Sequence, residues 1–429
     1  MHYIIVLFAI LLQAFAFGQN YTSYLTGSSS DLVTQPLGGV CLMGGATEDD
    51  NAMRWFLDRA NGGDVLVLRA SGSDGYNSYF YSGLGATINS VETIVFNNGS
   101  AANEAYVQQK IEQAEAIWIA GGDQWDYISY WRNTPIDSLI NRAISERNCV
   151  IGGTSAGMAI QGSHYFSAEN GTVTSTTALT NPYTSTVTVD SAPFLENEFL
   201  QNVITDTHYD SPDRKGRHTV FLARILTDTG IMAKGIACDE YTAVCIEPGG
   251  IAHIYGGFPT YDDNAYFLQP NCELASVTPE NCSAGTPLEW NHGGQAVKVY
   301  VVKGTATGAN TFDLNTWNTG IGGTWEEWSV VNGTLNTATG IAPNCTTSEV
   351  VELASQKTVT LFPNPASVQL TIDTDRIIHT SSISTLDGRI IQQNNDARTV
   401  SIAQLPSGSY LLQIVYFDGE RSSLPFMKP

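Results

Sequence analysis

Cys149-Val150-Ile151-Gly152-Gly153-Thr154-Ser155-Ala156-Gly157-Met158-Ala159-Ile160 is the stretch on which the fold turns. A short apolar run meets a glycine pair, then a serine framed by small residues, then an apolar segment able to continue as a helix. Gly153-Thr154-Ser155-Ala156-Gly157 fits G-x-S-x-G, the pattern of a nucleophile elbow. In such a turn the serine sits at a sharp strand-to-helix corner that only small neighbours permit. Its hydroxyl is exposed at the carboxyl end of the strand, beside backbone N–H groups that can stabilise an oxyanion.

The segments before the elbow repeat one pattern. Gly39 to Met43 reads as a strand ending in Gly44-Gly45, and the polar patch Thr47-Glu48-Asp49-Asp50 can cap a helix over 52–61. Asp64 to Ala70 is an apolar run of the buried parallel type, 88–95 another strand, and 103–113 a helix. Ala116 to Ala120 is a strand ending in Gly121-Gly122-Asp123-Gln124; 134–147 is a helix, and 149–152 feeds the elbow. Strands alternating with helices predict an α/β fold with a doubly wound, mostly parallel sheet. Ligands bind beyond the carboxyl ends of such strands, so Gly44-Gly45, Gly121-Gly122 and Ser155 should converge on one site.

Beyond the elbow, 161–201 is rich in Ser and Thr and reads as an exposed insertion. Val203 to Tyr209 is a strand leading to a cluster of Arg214, Lys215, Arg217 and His218, and 220–226 a helix. Gly235 to Ile246 reads as a strand, a charged turn at Asp239-Glu240 and a returning strand; 250–256 and 296–302 are further strands. The Asn- and Thr-rich stretch 306–357 carries no clear pattern and is taken as an extension or linker after a domain spanning 19–305. Residues 358–429 alternate in short runs punctuated by Asp387-Gly388 and Ser407-Gly408, the signature of a small β-sandwich.

Composition narrows the function. The chain has 429 residues, a formal net charge of −22 and 14% charged residues, which excludes nucleic acid as a partner for want of cations. Residues 3–17 are nearly all apolar and Ala16-Phe17-Gly18 suits signal peptidase, so 1–18 reads as an export signal. Cys41, Cys149, Cys238 and Cys245 lie in apolar runs as buried thiols. Cys272 pairs with Cys282, or one of the two with Cys345; spacing does not decide. No metal-ligand spacing is present, and neither metal nor cofactor is expected.

A serine nucleophile needs a base, and the base an orienting acid. His208 ends an apolar strand and is the best-placed histidine; Asp206, Asp239 and Glu240 are the candidate acids. An esterase of the α/β-hydrolase type would carry its acid before its histidine, and here His208 precedes Asp239-Glu240.

Four motifs in this order resemble the cyanophycinases of serine peptidase family S51, which also holds aspartyl dipeptidases. They are Gly121-Gly122-Asp123-Gln124, Gly153-Thr154-Ser155-Ala156-Gly157, Asp206-Thr207-His208-Tyr209 with Arg214, Gly216 and Arg217, and the run from Gly235 to Ala243, within a match over 36–305. The resemblance implies a fold like the class I glutamine amidotransferases. It implies Ser155 as nucleophile, His208 as general base and acid, and Glu240 as orienting acid. It further implies an oxyanion hole from Gly122 and Ala156, and substrate shaping or binding by Gln124, Asp206, Arg214 and Arg217. The implied reaction is hydrolysis of β-linked aspartyl–arginine polymers or small aspartyl peptides through an acyl-enzyme. The family usually has phenylalanine after the motif histidine and two arginines spaced by one residue; here stand Tyr209 and Pro212…Arg214, one cation fewer. An aspartyl dipeptidase or esterase of other specificity, or an inactive surface-binding homologue, are the alternatives.

The tail motifs Leu361-Phe362-Pro363-Asn364-Pro365, Leu386-Asp387-Gly388-Arg389 and Leu405-Pro406-Ser407-Gly408-Ser409-Tyr410 resemble the C-terminal sorting domain of the type IX secretion system. This implies a secreted or cell-surface enzyme whose partners are its peptide or polymer substrate and the secretion machinery. Association as a homodimer is left open.

Overall fold

The computed structural model describes residues 19–192, 194–345, 359–374, 378–385, 389–395, 398–416 and 421–429. The export-signal reading of 1–18, the part of the extension over 346–357 and the Asp387-Gly388 turn lie outside the described residues. The chain divides into two compact units, Met1–Cys345 and Thr346–Pro429.

In the first unit the apolar runs become five parallel strands. Side by side they stand as Ser90–Phe96, Asp64–Arg69, Ala116–Ile119, Val150–Thr154 and Val40–Met43. The last three are the glycine-ended strands, and they are immediate neighbours, so their carboxyl ends do meet at one place. Period-two alternation sends Val65, Val67 and Trp118 to one face and Leu66, Leu68 and Ile117 to the other. The first face packs Met53, Phe56 and Leu57 of helix Asp50–Asp58, and the second packs helices Ala105–Gln113 and Pro135–Arg147. Coverage on both faces lets the strands be apolar throughout. The helix starts follow the sequence: Asp49 accepts the N–H groups of Asn51 and Ala52, and Thr134 caps a helix with Pro135 in its first turn.

The sheet is mixed rather than mostly parallel. Tyr21–Gly27 joins one edge antiparallel, and Ala243–Ile246, Ile251–Phe258, Asn310–Asp313 and Gly320–Ile321 extend the other, giving ten strands. A second sheet of six strands runs Thr334–Thr339, Gly323–Val331, Val297–Lys303, Asn264–Pro270, Lys234–Cys238 and Val203–Asp206, with only the last pair parallel. Ile236, Cys238 and Phe267 share a core with the ten-stranded sheet, while Ala237, Leu268 and Val299 pack beside helix Lys215–Thr229.

Three expectations change. Lys234–Cys238 and Ala243–Ile246 are not a hairpin: they belong to different sheets, and 239–242 is the crossing between them. The Ser/Thr-rich stretch 161–201 is not an exposed insertion, because Tyr165, Phe166, Phe194 and Leu195 are buried and its Val173, Ala178 and Leu179 enter the second core. The described part of the supposed extension, 306–345, carries strands that complete both sheets, and Cys345 is disulfide-bonded to Cys272. Cys41, Cys149, Cys238 and Cys245 are buried free thiols, as expected.

The second unit has a three-stranded sheet (Thr360–Phe362, Gln369–Asp373, Thr399–Ser401) and a four-stranded one (Ile390–Asn395, Ile378–Thr385, Gly408–Tyr416, Arg421–Lys428), all antiparallel. Leu370, Ile372 and Val400 from the first and Ile383, Leu412 and Ile414 from the second form one core.

Candidate active site

Strand Val150–Thr154 ends directly at Ser155, and helix Ala156–Ala159 begins after it. Ser155 has φ 52° and ψ −116°, a conformation L-residues seldom adopt, so the elbow is strained as the motif requires. A Cβ on Gly157 would collide with the Ile119 carbonyl, which explains the closing glycine of the motif. The Ser155 N–H is bound to Met43 O at 3.1 Å. Ala156, first in its helix, has no intrahelical acceptor for its own N–H.

His208 follows strand Val203–Asp206 by two residues, with φ 46° and its N–H on Gly44 O at 2.8 Å. Any side chain on Gly45 would run into the imidazole, with a Cβ 2.5 Å from Nε2. Gly44-Gly45 is therefore a seat for the histidine. Nε2 of His208 lies 2.8 Å from Ser155 Oγ, and Nδ1 lies 2.6 Å from Glu240 Oε1. A carboxylate at Nδ1 selects the tautomer protonated there and leaves Nε2 to accept the serine proton. The His208 and Glu240 side chains are each 23% exposed, enough for a substrate to reach them.

Glu240 owes its place to the crossing between sheets. Its N–H is held by Asp210 Oδ1 at 3.0 Å, and the next residue, Tyr241, donates its N–H to Gly45 O at 3.2 Å. Asp210 was missed in the sequence, although it stands only two residues after His208.

The two other candidate acids point elsewhere. Asp206 is buried in a two-pronged pair with Arg217, Nε to Oδ2 at 2.9 Å and Nη2 to Oδ1 at 2.5 Å. Arg217 also donates to Thr172 Oγ1 and Val173 O and lies over the Phe166 ring. Of the two roles expected for Asp206 and Arg217, burial at 2–3% side-chain exposure favours shaping the site over touching substrate. Arg214 is half-buried and donates to Thr207 O at 2.9 Å; burial and neighbouring Arg217 lower its pKa from the usual arginine value. Gln124 opens helix Gln124–Trp131 and donates to Phe166 O at 3.3 Å. Gly122 is exposed beside Gly121, which adjoins Ser155. Tyr209, in place of the family phenylalanine, is buried with its hydroxyl 3.2 Å from His218 Nδ1.

Asp239 accepts from Asn264 N at 2.8 Å, Asn264 Nδ2 and Tyr266 OH, while its Oδ1 is buried without a hydrogen-bond partner among the described residues. Burial pushes its carboxyl up to about 6, Asp210 adding to the effect and Lys215 opposing it. The folded chain thus holds this proton more tightly than the unfolded chain, whose aspartate titrates near ~3.9. That stability is present below pH ~4 and lost as pH rises through about 6. Asp239→Asn should therefore gain on the native chain by about 2–3 kcal/mol between pH 4 and pH 7.5, at about 1.4 kcal/mol per unit. Urea unfolding at both pH values checks this; a difference that ignores pH refutes it.

Residues 42–254 match the model of Peptidase family S51, and residues 360–421 that of the Secretion system C-terminal sorting domain. The cyanophycinase of Trichormus variabilis is 24% identical over 198 residues, covering 46% of this chain and 59% of that protein. The cyanophycinase of Geminocystis herdmanii is 27% identical over 162 residues, 37% of this chain and 55% of that one. The chain thus spans under two thirds of the length of these curated relatives. Among solved structures, a peptidase from an acI-B1 Actinobacterium is 15% identical with a TM-score of 0.37, covering 52% of this chain and 89% of that one. A putative peptidase E protein from Listeria monocytogenes EGD-e is 16% identical with a TM-score of 0.34, over 51% and 98%. On the two family matches, the chain carries a domain of peptidase family S51 followed by a secretion system C-terminal sorting domain.

Proposed function

We propose that the chain is an exported serine peptidase that hydrolyses aspartyl peptide bonds through an acyl-enzyme. The observation that carries this reading is the unbroken relay from Ser155 Oγ to His208 Nε2 at 2.8 Å and from His208 Nδ1 to Glu240 Oε1 at 2.6 Å. Ser155 Oγ attacks the scissile carbonyl as His208 takes its proton, and the N–H groups of Gly122 and Ala156 receive the oxyanion. The C–N bond breaks as His208 hydrogen-bonds and protonates the leaving amine. Water, deprotonated by the same imidazole, then cleaves the ester and the proton returns to Ser155. Glu240 stabilises the imidazolium through its contact with Nδ1.

The substrate we assign is a β-linked aspartyl–arginine peptide, as the name of the curated relatives suggests. Local charge supports it. Asp210 Oδ1, 3.0 Å from the Glu240 N–H, puts a second carboxylate beside the acid of the relay, where a guanidinium would be welcome. Arg214, which donates to the Thr207 carbonyl next to His208, is the cation we assign to a substrate carboxylate. The sorting domain supports delivery to the cell surface or beyond, where such a peptide would be met. A panel of α- and β-linked Asp–Arg dipeptides with product identification tests the assignment. Faster turnover of the β-linked member is expected; exclusive cleavage of α-linked peptides would replace it with an aspartyl dipeptidase, and ester cleavage alone would leave neither.

A further inference from the structure

We infer that Tyr127 is a positioning residue for the oxyanion donor at Gly122, an inference that rests on the peptidase reading above. Tyr127 lies on helix Gln124–Trp131, one turn after Gly121-Gly122-Asp123. Its ring is fully buried and stacked on Trp131, with centroids 4.7 Å apart and planes 19° from parallel. The helix start is fixed by Asp123, whose carboxylate accepts the Trp125 N–H at 2.9 Å. From this frame the hydroxyl reaches back to two successive carbonyls, Ala120 O at 2.9 Å and Gly121 O at 3.1 Å. Carbonyls only accept, so the phenol's one O–H is the donor, shared between the two. Burial raises its pKa above the ordinary tyrosine value and keeps it a donor over the working pH range.

A trans peptide points its C=O and the following N–H in opposite directions. Holding Gly121 O on the phenol therefore points the Gly122 N–H away from it, out of the opposite edge of the same peptide plane. Gly121 is the residue that abuts the nucleophile: a Cβ there would stand 3.5 Å from Ser155 Cβ. A glycine pair resists rotation of its peptide planes less than any other dipeptide. Without an outside anchor the donor would sample orientations that miss the oxyanion, and its strength depends on being fixed beforehand. Tyr127 is that anchor. It also leaves no room beside it, since a Cβ on Gly122 would lie 2.9 Å from the phenol oxygen.

The test is Tyr127→Phe in the otherwise unchanged protein, assayed on an aspartyl dipeptide that the wild type cleaves. Loss of a direct donor costs about 10²–10³ in kcat; loss of its anchor should cost about 10-fold, with KM within about twofold. Affinity for a peptide aldehyde, whose adduct with Ser155 presents an oxyanion, should fall by the same factor, while inhibition by the product amine stays constant. Ile128→Val disturbs the same buried helix away from the Tyr127 ring stack and should keep kcat within about twofold. If Tyr127→Phe does not fold, 4-fluorophenylalanine at 127 fills the same space without a donor. Unchanged kcat and aldehyde affinity in the donor-free variant overturn the inference, as does an equal kcat loss in Ile128→Val. A wild type that neither turns over nor takes up a serine-reactive phosphonate at Ser155 overturns the peptidase reading itself, a result distinct from either.

Discussion

Ser155→Ala should lower kcat by about 10⁴–10⁶-fold while leaving the fold and its melting temperature nearly unchanged. The size follows from the relay: among the described residues His208 has no other hydroxyl in hydrogen-bond reach of Nε2, so removing Oγ removes the nucleophile and the acceptor's task together. Stability is spared because Ser155 makes its backbone bond, to Met43 O, in either variant. Ser155→Gly separates the two roles of the elbow. It should be as inactive as the alanine variant yet more stable by about 1 kcal/mol, because glycine meets φ 52° without the strain an L side chain bears there. Turnover on an aspartyl dipeptide and thermal unfolding of both variants check this. Retention of a tenth of wild-type kcat in Ser155→Ala would remove Ser155 from the mechanism.

The elbow and its partners were legible for a local reason. Glycines at three strand ends are a pattern within a few residues, and a doubly wound sheet brings such ends together. What could not be read depends on pairing across long sequence distances. Two short apolar runs separated by Asp239-Glu240-Tyr241-Thr242 look like a hairpin; that the second pairs with Val40–Met43, some two hundred residues earlier, has no local signal. Yet that crossing is what delivers Glu240 to His208. The choice among three acids had the same difficulty. Asp206 is nearest in sequence to His208, and only its pair with Arg217 turns it away. In 161–201 the Ser and Thr residues outnumbered the buried aromatics that decide its packing, and in 306–345 the Asn and Thr residues hid strand Gly323–Val331, whose Trp325 and Trp328 pack into different cores. No motif marks Tyr127, and its reach to Gly121 O is visible only in three dimensions.

Arg217→Met should destabilise the first unit by about 3–5 kcal/mol, because it leaves the Asp206 carboxylate buried without its counter-charge. The double variant Asp206→Asn/Arg217→Met should recover most of that loss, since neutral residues of similar volume commonly replace a buried ion pair at little cost. The pair also sets an acid limb. Burial alone would raise Asp206, but the Arg217 guanidinium overrides it and holds the carboxyl below the usual aspartate range. A group depressed in the folded state lends stability above its unfolded pKa of ~3.9 and loses it as pH falls through the folded value. Wild-type stability should therefore drop below pH ~4, and the double variant should lack that contribution. Function follows through the chain itself: Asp206 Oδ1 accepts the Thr207 N–H at 2.8 Å, and His208 is the next residue. At temperatures where Arg217→Met is still folded, kcat should fall through misplacement of His208 while KM changes little. Urea unfolding of the single and double variants between pH 3 and pH 8, with kcat and KM at neutral pH, decides the matter. A large rise in KM with stability intact would instead make Arg217 a substrate ligand, which its burial against Phe166 and Val173 argues against.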